Sequence, residues 1–525
     1  MNTKLLRQKI LDFAIRGKLT DQRKSDGTAR DLLTQISDER RKTRDERIGM
    51  LSKKSGVILS GARSAKSKDP EQIIPLDKSE VPFEIPENWE WVCVDSIASL
   101  ITDGEHLTPR RVESFEGYYL LSARNIQDNA ILLNDVDYVD EDEYNRIARR
   151  CNPRKNDVLI SCSGSIGRIA IVKDDNKYVM VRSAAMIRPM LIHSYYLMYA
   201  LQSNCLQNQI QNYSKQTAQA NLFQASIRAL QIPLPPIAEQ QRIVAKIEEA
   251  FAEIDAVEKN KELLKTHIKQ TRQKILDLAI HGKLVPQNKS DEPASVLLER
   301  ITRDNPHYEK LRLDERRETK DERGFKDKCH SREGGNLLAS ISKDEIPFDI
   351  PENWVWCRLG DLSESIQYGY NAPAKDSGRI KMVRISDIHE NDVEWNSVPY
   401  CDIEEQDVQT YLLKKNDILF ARTGGTVGKS FIVGDLPEEA VYAGYLIRTR
   451  YGKNVNAQYM KFFMESDLYW EQLRDGCIAT AQPNCNGKTL GKMKIPLPPL
   501  NEQSRIVAKI DELFSTLDQM ERNLV

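Results

Sequence analysis

No Cys-x-x-Cys pair occurs anywhere in the 525 residues, although the chain carries nine cysteines. An odd, scattered set of thiols excludes a disulfide scaffold and a structural zinc site, and it implies a reducing, cytoplasmic setting. Cys329 and His330 are adjacent, but no second ligand pair follows at zinc-finger spacing. Apolar runs of membrane-spanning length are missing too, and the opening MNTKLLRQKILDFAIRGKL is amphipathic rather than a signal peptide. There is little net charge: 76 Lys and Arg against 78 Asp and Glu leave −2. Contact with nucleic acid would therefore have to come from local patches. Catalytic signatures are absent as well. The chain has no G-x-G-x-x-G after a strand, no helicase box, no Asn-Pro-Pro-Tyr or Asp-Pro-Pro-Tyr tetrad, and no paired acids followed by a lysine. Its seven histidines form no Ser/His/Asp grouping. Neither catalysis nor a metal is expected.

One run comes close to a catalytic motif. ARTGGTVGKS, residues 421–430, ends as a phosphate-binding P-loop ends. The motif needs a glycine five places before Gly428, where Thr423 stands, and a helix directly after it. The following FIVGDLPEE reads as a strand and a turn, so a nucleotide site is disfavoured.

What is present is written twice. RQKILDFAIRGKL (7–19) returns as RQKILDLAIHGKL (272–284), and DERRKTRDER (38–47) as DERRETKDER (314–323). EIPENWEW (84–91) returns as DIPENWVW (349–356), and KNDVLISCSGSIGRIAIV (155–172) as KNDILFARTGGTVGKSFIV (415–433). TAQAN (217–221) returns as TAQPN (480–484), and IPLPPIAEQQRIVAKI (232–247) as IPLPPLNEQSRIVAKI (495–510). The shared order marks a duplication, with a period far too long for a solenoid. The segment that is continuous in the middle of the chain is split between its two ends, which implies a cyclic, pseudo-twofold arrangement.

The central segment predicts a helix over 239–280. Ile247, Ile254, Lys261, Ile268 and Ile275 are seven apart, as are Ala250, Val257, Leu264, Thr271 and Leu278, which predicts a coiled-coil seam. Two α+β units flank it, rich in short Val, Ile and Tyr runs broken by Gly, Asn and Asp. The expected division is 1–20, an N-terminal helix; 21–80, a charged helical and linker segment; 81–235, the first globular unit; and 236–285, the coiled-coil helix. After these come 286–345, a second charged segment, 346–498, the second globular unit, and 499–525, a C-terminal helix. The charged segments read as surface helices and linkers, partly disordered.

The globular units offer polar loops. Residues 176–238 contain no acid, yet they hold Lys177, Arg182, Arg188, Lys215, Arg228 and many glutamines; 476–501 repeat the pattern. An acid-free face can approach phosphates, and amides can read adenine edges. The loop ITDGEHLTPRR (101–111) faces a different sequence in its repeat, IQYGYNAPAK (366–375). Matching frames with different loops suggest two binding modules of different specificity.

Taken together, the IPLPP-x-x-EQ-x-RIVAKI block, the PENW-x-W opening, the K-N-D-[IV]-L hairpin and the Q-[AP]-N run resemble the specificity subunit of type I restriction–modification systems over the whole chain. The resemblance implies a non-catalytic reader of a bipartite site in double-stranded DNA, built from two target-recognition domains spaced by helices. It implies no cofactor on this chain. Two modification subunits would bring S-adenosylmethionine, and restriction subunits would bring ATP, Mg and translocation. Carried onto this sequence, the first unit's DNA-binding candidates are Asp103, His106, Thr108, Arg110, Arg124, Ser163, Arg168, Gln216, Gln219 and Asn221. The second unit's are Tyr368, Tyr370, Asn371, Arg384, Arg422, Thr423, Lys429, Gln482 and Asn484. KDKCHSREGGN (326–336) has no partner in the first copy and looks like an insertion. The alternatives are a P-loop-like nucleotide binder and a purely structural coiled-coil scaffold.

Overall fold

The computed structural model describes residues 2–55, 73, 75–77, 81–113, 118–175, 178–215, 220–305, 341–389, 392–476 and 485–524. The insertion at 326–336 and candidates Gln216, Gln219, Gln482 and Asn484 lie outside them. The chain divides into two compact units, Met1–Asn260 and Lys261–Val525, each mixing helix and sheet.

The first unit opens with the helix Thr3–Ile15, started by the Asn2 side chain, which accepts the Leu5 N–H at 3.0 Å. Its central sheet is antiparallel, in the order Ala98–Asp103, Ala184–Pro189, Val158–Ser161, Ile169–Ile171. A second sheet places Tyr118–Leu121 between Asp137–Val139 and, in parallel, Tyr178–Met180. A third pairs Glu90–Cys93 with Gln231–Leu234. The second unit repeats all three. Ser363–Tyr368, Leu446–Tyr451, Ile418–Ala421 and Ser430–Ile432 form the central sheet. Ile380–Val383 lies between Tyr400–Cys401 and Ala440–Tyr442, and Val355–Arg358 pairs with Lys494–Leu497. Fully buried β-branched residues such as Val158, Ile160 and Ile418 fill strands covered on both faces.

The repeated motifs are the joints of each unit. Glu239 is fully buried and accepts from Trp89 Nε1 at 2.9 Å, Gln22 Nε2 at 2.6 Å and Thr20 Oγ1 at 3.1 Å. Gln240 donates to Pro235 O and accepts from His193 N, both at 2.8 Å, which ties the helix start to the sheet. Arg242 pairs with Asp26 at 2.6 Å. The second unit builds the same joint from Gln287 and Glu502 (2.6 Å), Gln503 with Pro498 O and Asn456 N (both 2.9 Å), and Arg505 with Asp291 (2.7 Å). The glycine of A-I-x-G-K-L belongs here too. A side chain on Gly17 or Gly282, both at positive φ, would fall 2.4 Å from the proline of PENW, Pro86 or Pro351.

The long helix runs Ile237–Ile280, 44 residues or about 66 Å at 1.5 Å per residue. Its two apolar stripes differ in burial. Ile247, Ile254, Ile268 and Ile275 are buried, whereas Val257 and Leu264 are 48% and 40% exposed. In the first unit the helix Thr3–Ile15 lies beside 251–258, with Arg7 bonded to Asp255 (2.6 Å) and Glu258 (3.2 Å) and set over Phe251. In the second, Arg272 bonds Asp518 and stands over Phe514 of the helix Leu500–Arg522.

The charged segments also differ from a purely superficial reading. Within the helices Ala29–Ser55 and Ala294–Asp304, Leu32, Leu33, Ile36, Leu297, Leu298 and Ile301 are buried in the cores of their units.

Candidate nucleic-acid interface

In each unit three loop segments and one segment that follows a helix meet along one edge of the sheets. The strand Ala98–Asp103 runs into loop 104–112. Gly104 makes this possible, because a Cβ there would lie 2.2 Å from Met180 O. Glu105 then donates its N–H to Met180 O (2.7 Å) and accepts from Arg182 N (3.0 Å), which joins the loop to turn 181–184. Ser183 O accepts from Cys162 N at 2.8 Å, and this brings in the hairpin tip 162–168. Cys162 O accepts from Leu222 N at 2.8 Å, and Ser163 bridges Asn221, which adds the segment after helix Asn204–Ser214. The second unit uses the same joints: Gly369 packs on Ala443 O, Tyr370 N donates to Tyr442 O (2.8 Å), Arg422 N to Tyr445 O (3.2 Å) and Cys485 N to Arg422 O (3.0 Å).

The side chains differ. In the first unit Asp103 is held by His106 Nε2 at 2.7 Å and Arg150 Nη2 at 2.5 Å. Partial burial raises the Asp103 pKa, but the Arg150 and His106 bonds outweigh it and leave the carboxyl below its ordinary value. Arg110 pairs with Asp140, and Arg124 with Asp137 at 2.9 Å, so both are engaged in ion pairs within the unit. Thr108 is exposed, Ser163 and Arg168 are half-buried, and Asn221 Oδ1 is buried with no donor to it among the described residues.

In the second unit the Arg422 guanidinium stands 4.8 Å over the Tyr368 ring, whose hydroxyl accepts from Gly487 N at 2.9 Å. Arg422 Nε is buried without an acceptor among the described residues. Asn371 and Lys429 are exposed, and Thr423 is half-buried at the start of the turn Gly424–Thr426. Two candidates are committed elsewhere. Tyr370 packs edge-to-face on Tyr411 at 5.1 Å, and Arg384 clasps Asp387 at 2.7 Å, three residues along its own chain. The near P-loop is a hairpin: Ser430 begins the strand Ser430–Ile432, so no helix N-terminus stands behind Lys429.

Sequence reasoning missed Arg150, Leu107 and Tyr445. Tyr445 is 65% exposed beside Arg422 and takes the place of Ser183 in the first copy. Aligning VYAGYLIR with VMVRSAAMIR could have found it. Arg150 lies far along the chain from Asp103, and nothing local in the sequence signals their contact.

The ion pairs also make a prediction about acid. Arg146 bonds Glu143 at 2.9 Å and Glu105 at 2.8 Å. The Arg146 bond is the largest influence holding the Glu143 carboxyl at about 2 against an ordinary 4.5. A depressed carboxylate stabilises the fold above its unfolded pKa and loses that contribution as pH falls towards the folded value. The melting-temperature gap between wild type and Glu143→Gln should therefore narrow as the pH drops from 4.5 towards about 2. Thermal melts over a pH series check this, and a gap that stays constant across the window would contradict it.

Among the described residues there is no group of three His, Cys, Asp or Glu able to hold a metal, and no helix long and apolar enough to cross a membrane. Two copies of one scaffold, each presenting a differently furnished polar edge, define a duplicated binding module. Residues 86–266 and 351–524 both match the family described as type I restriction modification DNA specificity domain, and the chain belongs to that family. It is 23% identical over 574 residues to the type I restriction enzyme EcoAI specificity subunit of Escherichia coli, spanning 98% of this chain and 90% of that protein. It is 24% identical over 584 residues to the EcoEI specificity subunit of Escherichia coli, spanning 99% and 90%. A solved structure from work on complex assembly and conformational transition of the type I R-M system shares the fold. Its TM-score is 0.52 at 17% identity, covering 84% of this chain and 94% of that one. The chain is thus a DNA-specificity subunit rather than a catalytic one.

Proposed function

We propose that the chain reads a bipartite site in double-stranded DNA, one half with each unit, and docks two modification subunits together with restriction/translocase subunits. The observation that carries this reading is the pair of matching scaffolds with non-matching edges: Asp103, His106 and Arg150 on one, Tyr368, Arg422 and Tyr445 on the other. Phosphate contacts would supply most of the affinity and a few base-edge contacts the choice of sequence.

Residues 81–235 and 346–498 are the proposed target-recognition domains, and 236–285 with 1–20 and 499–525 the conserved helical regions. The repeat is proposed to be a cyclic pseudo-twofold. Its coiled-coil helices set the unread spacer, since half-sites on one face of DNA lie about a helical turn apart. Methyl transfer from S-adenosylmethionine and the ATP- and Mg-dependent steps belong to the partner subunits. The proposed contacts of the first unit are Asp103, His106, Thr108, Ser163, Arg168 and Asn221, with Arg110 and Arg124 exchanging carboxylate for phosphate. Those of the second are Tyr368, Asn371, Arg422, Thr423 and Lys429. Gln216, Gln219, Gln482 and Asn484 remain proposed on the sequence alone.

Methylation mapping of genomic DNA with and without the gene tests the reading. A bipartite adenine-methylated motif is expected, and exchange of residues 81–232 for those of another family member should change one half only. A purely structural scaffold would give no gene-dependent motif.

A further inference from the structure

The first unit holds one apolar side chain out in solvent on a rigid support. Leu107 is 70% exposed at the tip of loop 104–112, between His106 and Thr108. The tip is fixed from beneath. A single carboxylate oxygen of Glu105 accepts the N–H groups of both His106 (2.8 Å) and Leu107 (2.9 Å). The other oxygen bonds Arg146 at 2.8 Å, and the Glu105 side chain is only 11% exposed. Glu105 is itself stitched to Met180 and Arg182 through its backbone. Leu107 is therefore presented in one position rather than left on a floppy loop.

Its neighbours indicate what it faces. Asp103 and Glu105 lie within four residues of it, each already paired with an arginine, so Leu107 is ringed by hydrogen-bonding groups rather than by uncommitted cations that would seek phosphate. Asp103, with His106 and Arg150 on either side, offers acceptors and donors suited to base edges in the major groove. The one apolar group that the standard base pairs present there is the thymine C5-methyl. We propose that Leu107 selects thymine in the first half-site by resting its isobutyl group on that methyl. This rests on the reading of the unit as a DNA-recognition domain. The corresponding residue of the second unit, Ala372, is partly buried against a core that includes Ile380 and Met382, so the methyl dependence belongs to the first half-site alone.

The test uses the full chain assembled with its modification subunits, and duplexes carrying the motif given by methylation mapping. Each thymine of the first half-site is replaced singly by deoxyuridine, which removes only the methyl. At one position the replacement should weaken binding about fourfold, the loss expected for one unburied methyl group. Leu107→Ala should abolish the difference between thymine and deoxyuridine at that position and leave the second half-site untouched. Leu107 is exposed, so its truncation leaves the core intact. A first half-site without an A·T pair, or one in which every deoxyuridine is neutral, overturns the inference while the reading stands. So does a Leu107→Ala protein that keeps the full methyl dependence, or one that loses affinity equally for all sequences, as removal of an intercalating wedge would. Absence of any bipartite motif overturns the reading and this inference together.

Discussion

Replacing Glu239 with alanine should destabilise the unit Met1–Asn260 by roughly 1–3 kcal/mol, because it strips the buried donor Trp89 Nε1 of its acceptor. Glu239 is fully buried, and three donors converge on it from residues 20, 22 and 89. Trp89 is itself only 2% exposed, so water cannot readily take over at its Nε1. Thr20 is half-buried and Gln22 exposed, so water can replace the carboxylate there and these two bonds add little. For a unit of this size that loss corresponds to a melting shift of roughly 5 °C. Glu239→Gln should do less harm, because one oxygen still accepts, although its NH2 then faces a second donor. Hydrogen exchange read by peptide is the appropriate measurement. Protection should fall in Glu90–Cys93, Gln231–Leu234 and Ser194–Gln202, while peptides of Lys261–Val525 keep theirs. Unchanged protection in the first unit would show that the joint does not carry the stability assigned to it.

Arg422→Ala is expected to damage recognition without unfolding the protein. Its backbone is held by Tyr445 O and Cys485 N, and these bonds survive truncation. What is lost is a planar donor standing 4.8 Å over Tyr368, with an Nε that has no acceptor among the described residues. A good bidentate base contact is worth about 1–3 kcal/mol, so binding should weaken roughly 10- to 100-fold, and discrimination should relax at one or two positions of the second half-site. Arg422→Lys keeps the charge but not the planar fork, so it should recover general affinity and not selectivity. A duplex panel varied through both half-sites measures this with the chain and its modification subunits. Equal weakening on every sequence would reassign Arg422 to a phosphate contact.

Some of this was open to a reader of the sequence. The duplication is visible because short motifs repeat in order, and the structure gives the matching sheets that such repetition requires. The long helix was legible because heptad spacing extends over many turns, and its start at Pro235-Pro236 needs no tertiary information. The repeated PENW and IPLPP motifs also drew attention as markers of the family, yet their residues form the joints between helix and sheet. Sequence could identify them and could not say that Trp89 and Glu239 meet.

The proposed recognition edge was the least legible part. Tyr370 and Arg384 are polar residues in suggestive loops, but packing on Tyr411 and pairing with Asp387 occupy them. Arg110 and Arg124 look like free cations until Asp140 and Asp137 fold against them. Leu107 looks like an ordinary apolar residue of a loop until the structure leaves it in solvent on a hydrogen-bonded support.

By itself, then, the sequence determined the duplicated plan, the mixed helix and sheet content, the lack of catalytic motifs and the likeness to a DNA-specificity family. These follow from local periodicity and ordered repetition, which are properties of neighbouring residues. Only the tertiary structure decided which stripe of the long helix is covered, which loop cations are already neutralised and which side chains remain exposed at the edge. Burial and pairing depend on residues far apart in the chain, such as Arg150 with Asp103 and Glu239 with Trp89, and no local pattern encodes those meetings.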